Sequence, residues 1–244
     1  MSGSSGPRRA LVTGASGGLG RTIAERLARD GAHVIVHANT RLDAAEALVA
    51  MIVAAGGSAE AVAFDVTDRE AARVACDELL AAGPIQIVVN NAGLHDDAVF
   101  PAMRAEQWSR VIDVSVGGFF NVTQPLVMPM IRTRWGRIVN LSSIASITGN
   151  RGQVNYAAAK GALNSATKAL ALELASRGIT VNAVAPGIID AGMAEGFDPA
   201  TIARLVPMKR AGRAEEVAAL VAFLVSEEAA YISGQIISIN GAMI

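Results

Sequence analysis

Short apolar runs alternate with amphipathic stretches along the whole chain. The runs are rich in Val, Ile and Ala and carry few polar positions, as expected for strands of a parallel sheet covered on both faces. Between them, apolar residues recur with the helical period. The seven predicted strands lie at 9–13, 33–38, 59–64, 85–90, 137–142, 179–184 and 235–239, and the predicted helices at 18–30, 41–55, 67–82, 104–132, 153–177 and 213–226.

This strict alternation predicts right-handed crossovers and a single Rossmann-like α/β domain, a doubly wound parallel seven-stranded sheet with helices on both faces. The domain is expected to span 8–244, after a short flexible leader at 1–7. The segment 187–212 follows the sixth strand and combines glycines, two prolines and a short apolar helix signal. We expect it to form a lid over a site at the carboxyl edge of the sheet.

Composition narrows the possible functions. With 244 residues, 52% of them hydrophobic, the chain can bury one large core. The formal net charge of −1 gives no general attraction to nucleic acid or to an acidic membrane. No uninterrupted apolar run reaches the roughly 18 residues of a membrane span. Cys76 is the only cysteine, which excludes an intrachain disulfide and fits a reducing cytoplasm.

The first predicted strand runs into TGASGGLG and then into a helix. The glycines let the backbone turn tightly and approach a ligand, and the helix N-terminus offers free N–H groups to a phosphate. The spacing differs from both the common dinucleotide fingerprint and the P-loop. The residues expected to bind a dinucleotide here are Gly14, Ser16, Gly18, Leu19 and Gly20.

The same turn also matches the nucleophile elbow G-x-S-x-G of hydrolases, with Ser16 as the nucleophile. That function needs a histidine late in the chain, whereas His95 is the last of the three histidines. A glycine-rich structural turn without a ligand is the remaining alternative.

The end of the second strand bears on which dinucleotide would bind. An acidic residue there bonds the ribose 2′-hydroxyl of NAD, and a basic one accommodates the 2′-phosphate of NADP. Ala38 occupies the place of the acid, Asn39, Thr40 and Arg41 follow, and the first acid is Asp43 inside the helix. This pattern favours NADP(H) over NAD(H). The alternative is that Arg41 only begins a solvated helix.

Tyr156 and Lys160 lie four residues apart in an Ala-rich helix and therefore share one face. A cation near a phenol lowers the phenol pKa, and a tyrosine tuned in this way can exchange a proton near neutral pH. Reduction of a ketone requires one hydride and one proton, so the pair suits a hydride-transfer enzyme. The alternative is a Tyr and a Lys that extend from a core helix toward water.

With these motifs in order, the chain resembles the short-chain dehydrogenase/reductase family over almost its whole length. Its most similar branch is the 3-oxoacyl-acyl-carrier-protein reductases, through GNRGQVNYAAAKGAL, LASRGITVNAVAPG, EEAAYISGQ and INGAM. The matching features are TGASGGLG (13–20), Asp65, NNAG (90–93), Ser143 thirteen residues before Tyr156, YAAAK (156–160) and PG (186–187).

The resemblance implies NADPH-dependent reduction of a 3-oxoacyl thioester, carried by an acyl carrier protein, to the 3-hydroxyacyl thioester. Tyr156 would be the general acid, Lys160 would lower its pKa and hold the nicotinamide ribose, and Ser143 would bond the substrate oxygen. Asp65 would meet the adenine. Further cofactor contacts are implied for Val66, Asn91, Ala92, Gly93, Pro186, Gly187 and Ile189.

The resemblance also implies a homotetramer, with helices 104–132 and 153–177 forming a four-helix interface. Acyl carrier proteins are acidic, so a docking patch should be basic. Arg132, Arg134 and Arg137 cluster at one helix end and Arg177 ends another; Arg134 and Arg177 are the docking candidates. The alternative is ordinary cationic helix ends that complement the helix dipole.

Three positions depart from the family pattern. Where the family commonly has an asparagine that holds a water for the lysine, this chain has Ser115. A serine hydroxyl can still donate and accept, so we expect a relay with one more water. Gly17 replaces an arginine that faces the 2′-phosphate, and Ala191 replaces a threonine that bonds the nicotinamide carboxamide. The backbone of Ile189 is expected to serve instead.

Other functions stay open at this point. The chain could be a short-chain dehydrogenase for a sugar, a steroid or an acyl-CoA, or a degenerate member that binds NADP(H) beside a catalytic partner. His95 is expected to line the substrate entrance, and no metal site is expected from His95 and the adjacent Asp96 and Asp97.

Overall fold

Seven parallel strands form the central sheet of the computed structural model, which describes residues 6–190 and 198–244. In the sheet the strands follow the order β3-β2-β1-β4-β5-β6-β9. Two further strands, β7 and β8, form a separate parallel pair. Their bounds are β1 Arg9–Val12, β2 His33–Ala38, β3 Ser58–Ala63, β4 Ile87–Asn90, β5 Gly136–Leu141, β6 Ile179–Pro186, β7 Ile189–Asp190, β8 Gly212–Arg213 and β9 Ile236–Ile239.

Helices cover both faces of this sheet, which confirms the predicted Rossmann-like fold. The helices α1, α2 and α9 pack on one face, and α3, α5 and α7 pack on the other. Their bounds are α1 Gly18–Arg29, α2 Leu42–Ala54, α3 Arg69–Ala81, α4 Ala105–Ile112, α5 Gly118–Thr133, α6 Ala145–Thr148, α7 Val154–Leu174, α8 Pro199–Leu205 and α9 Ala214–Val225.

Strand β1 shows why the strands read as continuous apolar runs. Ala10 and Val12 point into the hydrophobic cluster on one face, and Leu11 points into the cluster on the other. All three side chains are fully buried, so these three positions are apolar, whereas the partly buried Arg9 stands at the start of the strand. The strand order reverses between β1 and β4, where the connections leave toward opposite sides and a crevice opens at the carboxyl ends.

The predicted helix at 104–132 is not one regular α-helix. Its first part is α4, its last part is α5, and the residues Asp113–Gly117 between them form a π turn. A π turn inserts about one residue into the helical period and occurs often at functional sites. Ser115 lies within it.

The same stretch, Ala105–Thr133, is the one described helix that by length and composition could cross a membrane. One third of its most apolar window is buried, and core helices of soluble proteins also pass such a test. Here Val122, Leu126 and Met130 belong to the hydrophobic core, and α5 packs against α3. Part of the apolar composition therefore serves packing within this domain.

The segment predicted to form a lid, 187–212, contains β7, β8 and α8 in its described part. The helix α8 agrees with the apolar helix signal, and β7 pairs with β8 through Ile189 and Gly212. This pairing holds the two ends of the segment together beside the carboxyl edge of the sheet. Ala191 and most of the leader at 1–7 lie outside the described residues.

Candidate active site

The glycine-rich turn lies at the carboxyl end of β1, beside the end of β4. Gly14 adopts a φ of 63°, and a Cβ there would lie 3.1 Å from the Cα of Ala92. A Cβ on Gly20 would collide with Asn91 Nδ2. Because both positions exclude a side chain, the backbone of the turn stays open to a ligand while it packs against the NNAG segment.

Thr13 and Asn91 clamp the turn. Asn91 Nδ2 donates to the carbonyl oxygens of Thr13 at 2.9 Å and of Gly14 at 3.1 Å. In return Thr13 Oγ1 accepts from the backbone N–H groups of Asn91 at 3.0 Å and Ala92 at 2.9 Å. The side-chain amide of Asn91 therefore stabilises the conformation of the turn.

The first turn of α1 is well suited to bind phosphate. The helix begins after Gly17, and no side chain caps its N–H groups. It also has no acidic residue in its first turn, so the positive end of the helix dipole is not offset. Ser16 and Leu19 are partly buried beside it. This uncapped helix start and the glycine cradle fit a dinucleotide.

The residues predicted to distinguish NADP from NAD lie at the surface after β2. Ala38 is buried at the end of the strand, whereas Asn39, Thr40 and Arg41 are exposed. Arg41 occupies the N-cap position of α2. Its guanidinium is therefore accessible to a phosphate at the carboxyl edge of the sheet.

The segment after β3 forms the far wall of the same crevice. Val66 is buried, and its carbonyl accepts from Asn121 Nδ2 at 2.9 Å. Asp65 is exposed, and its Oδ1 accepts from the backbone N–H and the hydroxyl of Thr67, both at 2.8 Å. These bonds hold the Asp65 carboxylate in a fixed position at the edge of the crevice.

Lys160 is buried on α7, with 3% of its surface exposed. Its ammonium donates to the Leu141 carbonyl at 2.7 Å, and burial lowers its pKa to about 8. A Cβ on Gly93 would lie 3.1 Å from Nζ, so the NNAG segment packs closely against the ammonium. The Lys160 ammonium lies 5.7 Å from the centroid of the Tyr156 ring, which confirms that both side chains share one face.

The pKa of Tyr156 departs from the sequence prediction. Lys160 was expected to lower it, but burial raises the Tyr156 pKa above its usual value. A hydrogen bond from Ser143 acts in the opposite direction, and the charge of Asp97 raises the pKa further. The reason is geometric: the Lys160 ammonium is directed at the Leu141 carbonyl and lies beyond the face of the tyrosine ring.

Ser115 lies in the π turn that packs against α7. The residue is 3% exposed, and its hydroxyl finds no hydrogen-bond partner among the described residues. A buried hydroxyl without a partner is costly, so its position in a distorted turn near the active-site helix points to a functional polar environment.

The carboxyl end of β6 forms the third side of the crevice. The N–H of Gly187 donates to Ile239 O at 2.9 Å, and a Cβ on Gly187 would lie 2.8 Å from that of Asn240. Pro186 and Ile189 are buried there.

His95 and Asp97 lie at the open mouth beside Tyr156. The His95 ring meets the Tyr156 ring edge-on, with centroids 6.4 Å apart. Gln153 Nε2 donates to Asp97 Oδ2 at 2.8 Å and fixes the carboxylate near the phenol. In the described ranges, no three His, Cys, Asp or Glu side chains converge as metal ligands would.

The predicted basic cluster divides into two groups. Arg134 ends α5 with a φ of 53°, and its guanidinium donates to Ser176 O at 3.1 Å, directly beside Arg177. Both arginines are exposed. Arg137 does not belong to this surface, because it is buried, lies 4.2 Å from the centroid of the Trp135 ring and pairs with Glu227 at 3.3 Å.

A buried polar network beneath the site escaped the sequence prediction. Asn90 Nδ2 donates to Thr123 Oγ1 and Asn140 Oδ1, both at 2.9 Å, and Asn140 Nδ2 donates to Thr167 Oγ1 at 2.8 Å. The network ties β4, β5, α5 and α7 together under the active-site residues. An asparagine within an otherwise apolar strand is the sequence signal that could have found it.

Comparison with known proteins agrees with the fold. A family model described as short chain dehydrogenase matches residues 8–201. The chain belongs to the short-chain dehydrogenase family and is an oxidoreductase of the class that interconverts CH–OH groups and ketones.

Curated relatives cover almost the whole chain. A 3-oxoacyl-[acyl-carrier-protein] reductase FabG of Aggregatibacter actinomycetemcomitans is 46% identical over 236 residues, 96% of this chain and 98% of the relative. A 3-oxoacyl-[acyl-carrier-protein] reductase of Synechocystis sp. is 42% identical over 241 residues, 96% of each chain. Nodulation protein G of Rhizobium sp. (strain N33) is 40% identical over 247 residues, 97% of this chain and 96% of the relative.

Proposed function

We propose that this oxidoreductase uses NADPH to reduce a 3-oxoacyl thioester of an acyl carrier protein to the 3-hydroxyacyl thioester. The observation that carries the proposal is the convergence of Ser143, Tyr156 and Lys160 beside the open glycine-rich turn. The names of the reductases that resemble this chain supply the substrate class.

The nucleotide, when bound, supplies the hydride for the carbonyl carbon. Tyr156 donates its phenolic proton to the carbonyl oxygen, and its raised pKa keeps that proton in place at neutral pH. The Ser143 hydroxyl donates a hydrogen bond to the same oxygen and stabilises the negative charge that develops there. Tyr156 lies on α7 and Ser143 follows β5, so regular secondary structure positions both groups.

Lys160 acts after the proton has left. Because burial lowers the Lys160 pKa to about 8, its ammonium can return a proton to the phenolate that Tyr156 becomes. We infer that the hydroxyl of Ser115 connects this ammonium to solvent through water, since a buried hydroxyl can both donate and accept.

The acyl carrier protein would dock at Arg134 and Arg177. In support, the Arg134 guanidinium donates to the backbone oxygen of Ser176, the residue before Arg177, and both arginines are exposed. A docking patch for an acidic partner requires such basic side chains. The phosphopantetheine arm would then reach the site mouth near His95, beside a lid formed by the segment 187–212.

The experiment compares acetoacetyl thioesters of CoA and of acyl carrier protein by following NADPH oxidation. The wild-type protein should turn over both. Arg134→Ala and Arg177→Ala should each raise KM for the carrier-protein thioester about tenfold, with the CoA thioester little affected. Arg29→Ala, exposed at the far end of α1, is the matched control. Turnover of neither thioester would refute the proposed substrate class.

Replacing Ser115 with asparagine should raise kcat/KM about tenfold, at the lower edge of general acid–base effects. The longer amide can order a water for Lys160 with one fewer intervening molecule. Steady-state kinetics of Ser115→Asn measures this, with the exposed Ser109→Asn on α4 as control. A kcat/KM that stays the same or falls in folded protein would contradict the relay.

Replacing Arg41 with alanine should raise KM for NADPH about tenfold and leave KM for NADH nearly unchanged, because a charged hydrogen bond to the 2′-phosphate is lost. The two cofactors are compared in the same assay, again with Arg29→Ala beside them. A wild-type preference for NADH would contradict the proposed contact between Arg41 and the 2′-phosphate.

We further propose a homotetramer that works in the cytoplasm. Phe120 and Met128 on α5 and Leu172 on α7 are exposed, Leu172 to 85%, so these helices present apolar side chains that a second copy would cover. Light scattering of the purified protein measures the assembly, and a monomeric mass would refute it.

A further inference from the structure

One histidine takes part in none of the steps above. His37 lies at the carboxyl end of β2, only 1% exposed, directly under the glycine-rich turn. Its ring Nδ1 accepts from the backbone N–H of Gly14 at 3.1 Å, and its own carbonyl accepts from the N–H of Ala15 at 2.8 Å. One residue therefore receives two consecutive N–H groups of the turn.

The other side of the ring is also fixed. His37 Nε2 lies 2.9 Å from the carbonyl oxygen of Phe64, and the two rings pack with their centroids 4.2 Å apart. Phe64 is followed by Asp65 and Val66, the wall of the crevice proposed to meet the adenine. The imidazole thus spans the distance between the turn and that wall.

Only one form of the ring satisfies both partners. The Gly14 N–H can only donate, so Nδ1 must be unprotonated, and the Phe64 carbonyl can only accept, so Nε2 must carry the proton. Burial lowers the His37 pKa to about 4, although the Phe64 bond and the Asp65 charge act to raise it. The ring is therefore neutral at physiological pH.

We propose that His37 is a positioning residue for the nucleotide, a neutral imidazole that sets the spacing between the glycine-rich turn and the adenine wall. This inference rests on the proposed function, because it requires a nicotinamide dinucleotide to occupy the crevice. His37 contacts no ligand itself; it acts through the backbone of Gly14 and Phe64.

Three substitutions separate the two bonds. In His37→Asn the side-chain oxygen lies near the place of Nδ1 and can still accept from Gly14, while the bond to Phe64 is lost. In His37→Gln the longer amide can donate to Phe64, while the acceptor for Gly14 is lost. His37→Leu removes both, and His33→Gln, at the other end of β2, is the matched control.

The measurement is the NADPH dissociation constant by fluorescence, without substrate, together with KM and kcat and thermal unfolding. We expect His37→Gln and His37→Leu to weaken NADPH binding about tenfold, which is about 1.4 kcal/mol, and His37→Asn to keep most of the wild-type affinity. KM for NADPH should rise more than kcat falls, and His33→Gln should bind as the wild type does.

Folded His37→Gln and His37→Leu proteins that bind NADPH like the wild type would overturn the inference, as would a His37→Asn protein that binds no better than His37→Leu. If His37→Leu does not fold, the comparison of His37→Asn with His37→Gln decides. A wild-type protein that does not bind NADPH at all would instead refute the proposed function, so the two failures are distinguishable.

Discussion

Replacing Tyr156 with phenylalanine is expected to lower kcat about a thousandfold, within the range that removal of a general acid produces. The phenol proton is the one that the proposed chemistry delivers to the carbonyl oxygen, and phenylalanine fills the same space without it. NADPH affinity should change little, because the ring stays in place. Stopped-flow or steady-state oxidation of NADPH with an acetoacetyl thioester measures the loss.

The chain offers a matched control for this variant. Tyr231 is the second of two tyrosines and is fully exposed, so Tyr231→Phe makes the same chemical change far from the crevice. Its kcat should equal that of the wild type. If Tyr156→Phe retained wild-type turnover, another group would have to supply the proton, and the mechanism would be wrong.

Replacing Lys160 with methionine should abolish most activity and at the same time stabilise the fold. Burial that lowers the Lys160 pKa from 10.5 to about 8 corresponds to a cost of about 3 kcal/mol in the folded state. Methionine keeps a similar unbranched shape without the charge. Loss of the hydrogen bond to Leu141 O reduces the resulting gain in unfolding free energy by about 1 kcal/mol. We therefore expect an unfolding free energy about 2 kcal/mol higher and kcat/KM at least about a hundredfold lower.

The dependence on pH provides a second signature of the same lysine. The unfolded chain holds the lysine proton up to a pKa near 10.5, whereas the folded protein releases it near 8. The wild type should therefore gain stability relative to Lys160→Met as pH rises from about 8 to 10.5, and the full cost of burial is present below that window. Chemical denaturation across this range tests it, with the exposed Lys168→Met on α7 as control.

A less stable Lys160→Met protein with activity within about tenfold of the wild type would contradict both parts of this prediction. It would mean that the ammonium serves packing of α7 against β5 and has no part in proton transfer. The two readouts move in opposite directions only if a functional charge is held in the core at a cost to stability.

The bounds of the strands in the central sheet were predictable to within two residues, because strands buried on both faces appear in the sequence as short apolar runs. In β1, for example, Ala10, Leu11 and Val12 enter hydrophobic clusters on both faces of the sheet, so these consecutive positions are all apolar. The pairing of β7 with β8, two residues each, was not predicted, since two residues are too few to show any period. The π turn at Asp113–Gly117 was missed for a related reason: one inserted residue leaves the apolar period almost intact.

Part of the candidate site was likewise visible in sequence, because Gly14, Tyr156 and Lys160 stand in ordered motifs. The direction of the Tyr156 pKa was not, since it depends on burial and on a carboxylate that comes close only in the fold. The role of His37 and the burial of Arg137 were missed because both depend on contacts with residues distant in the chain. Spacing predicts which side chains share a face, but it does not predict what surrounds them.

The π turn also has a genetic consequence. Serine codons AGC and AGT differ from the asparagine codons AAC and AAT by a single base. Because the backbone around Ser115 is already widened against α7, such a change would alter one side chain without requiring a remodelled helix. In a gene that encodes Ser115 by AGC or AGT, a mutant library grown under selection for faster reduction should therefore yield asparagine at this codon early and repeatedly.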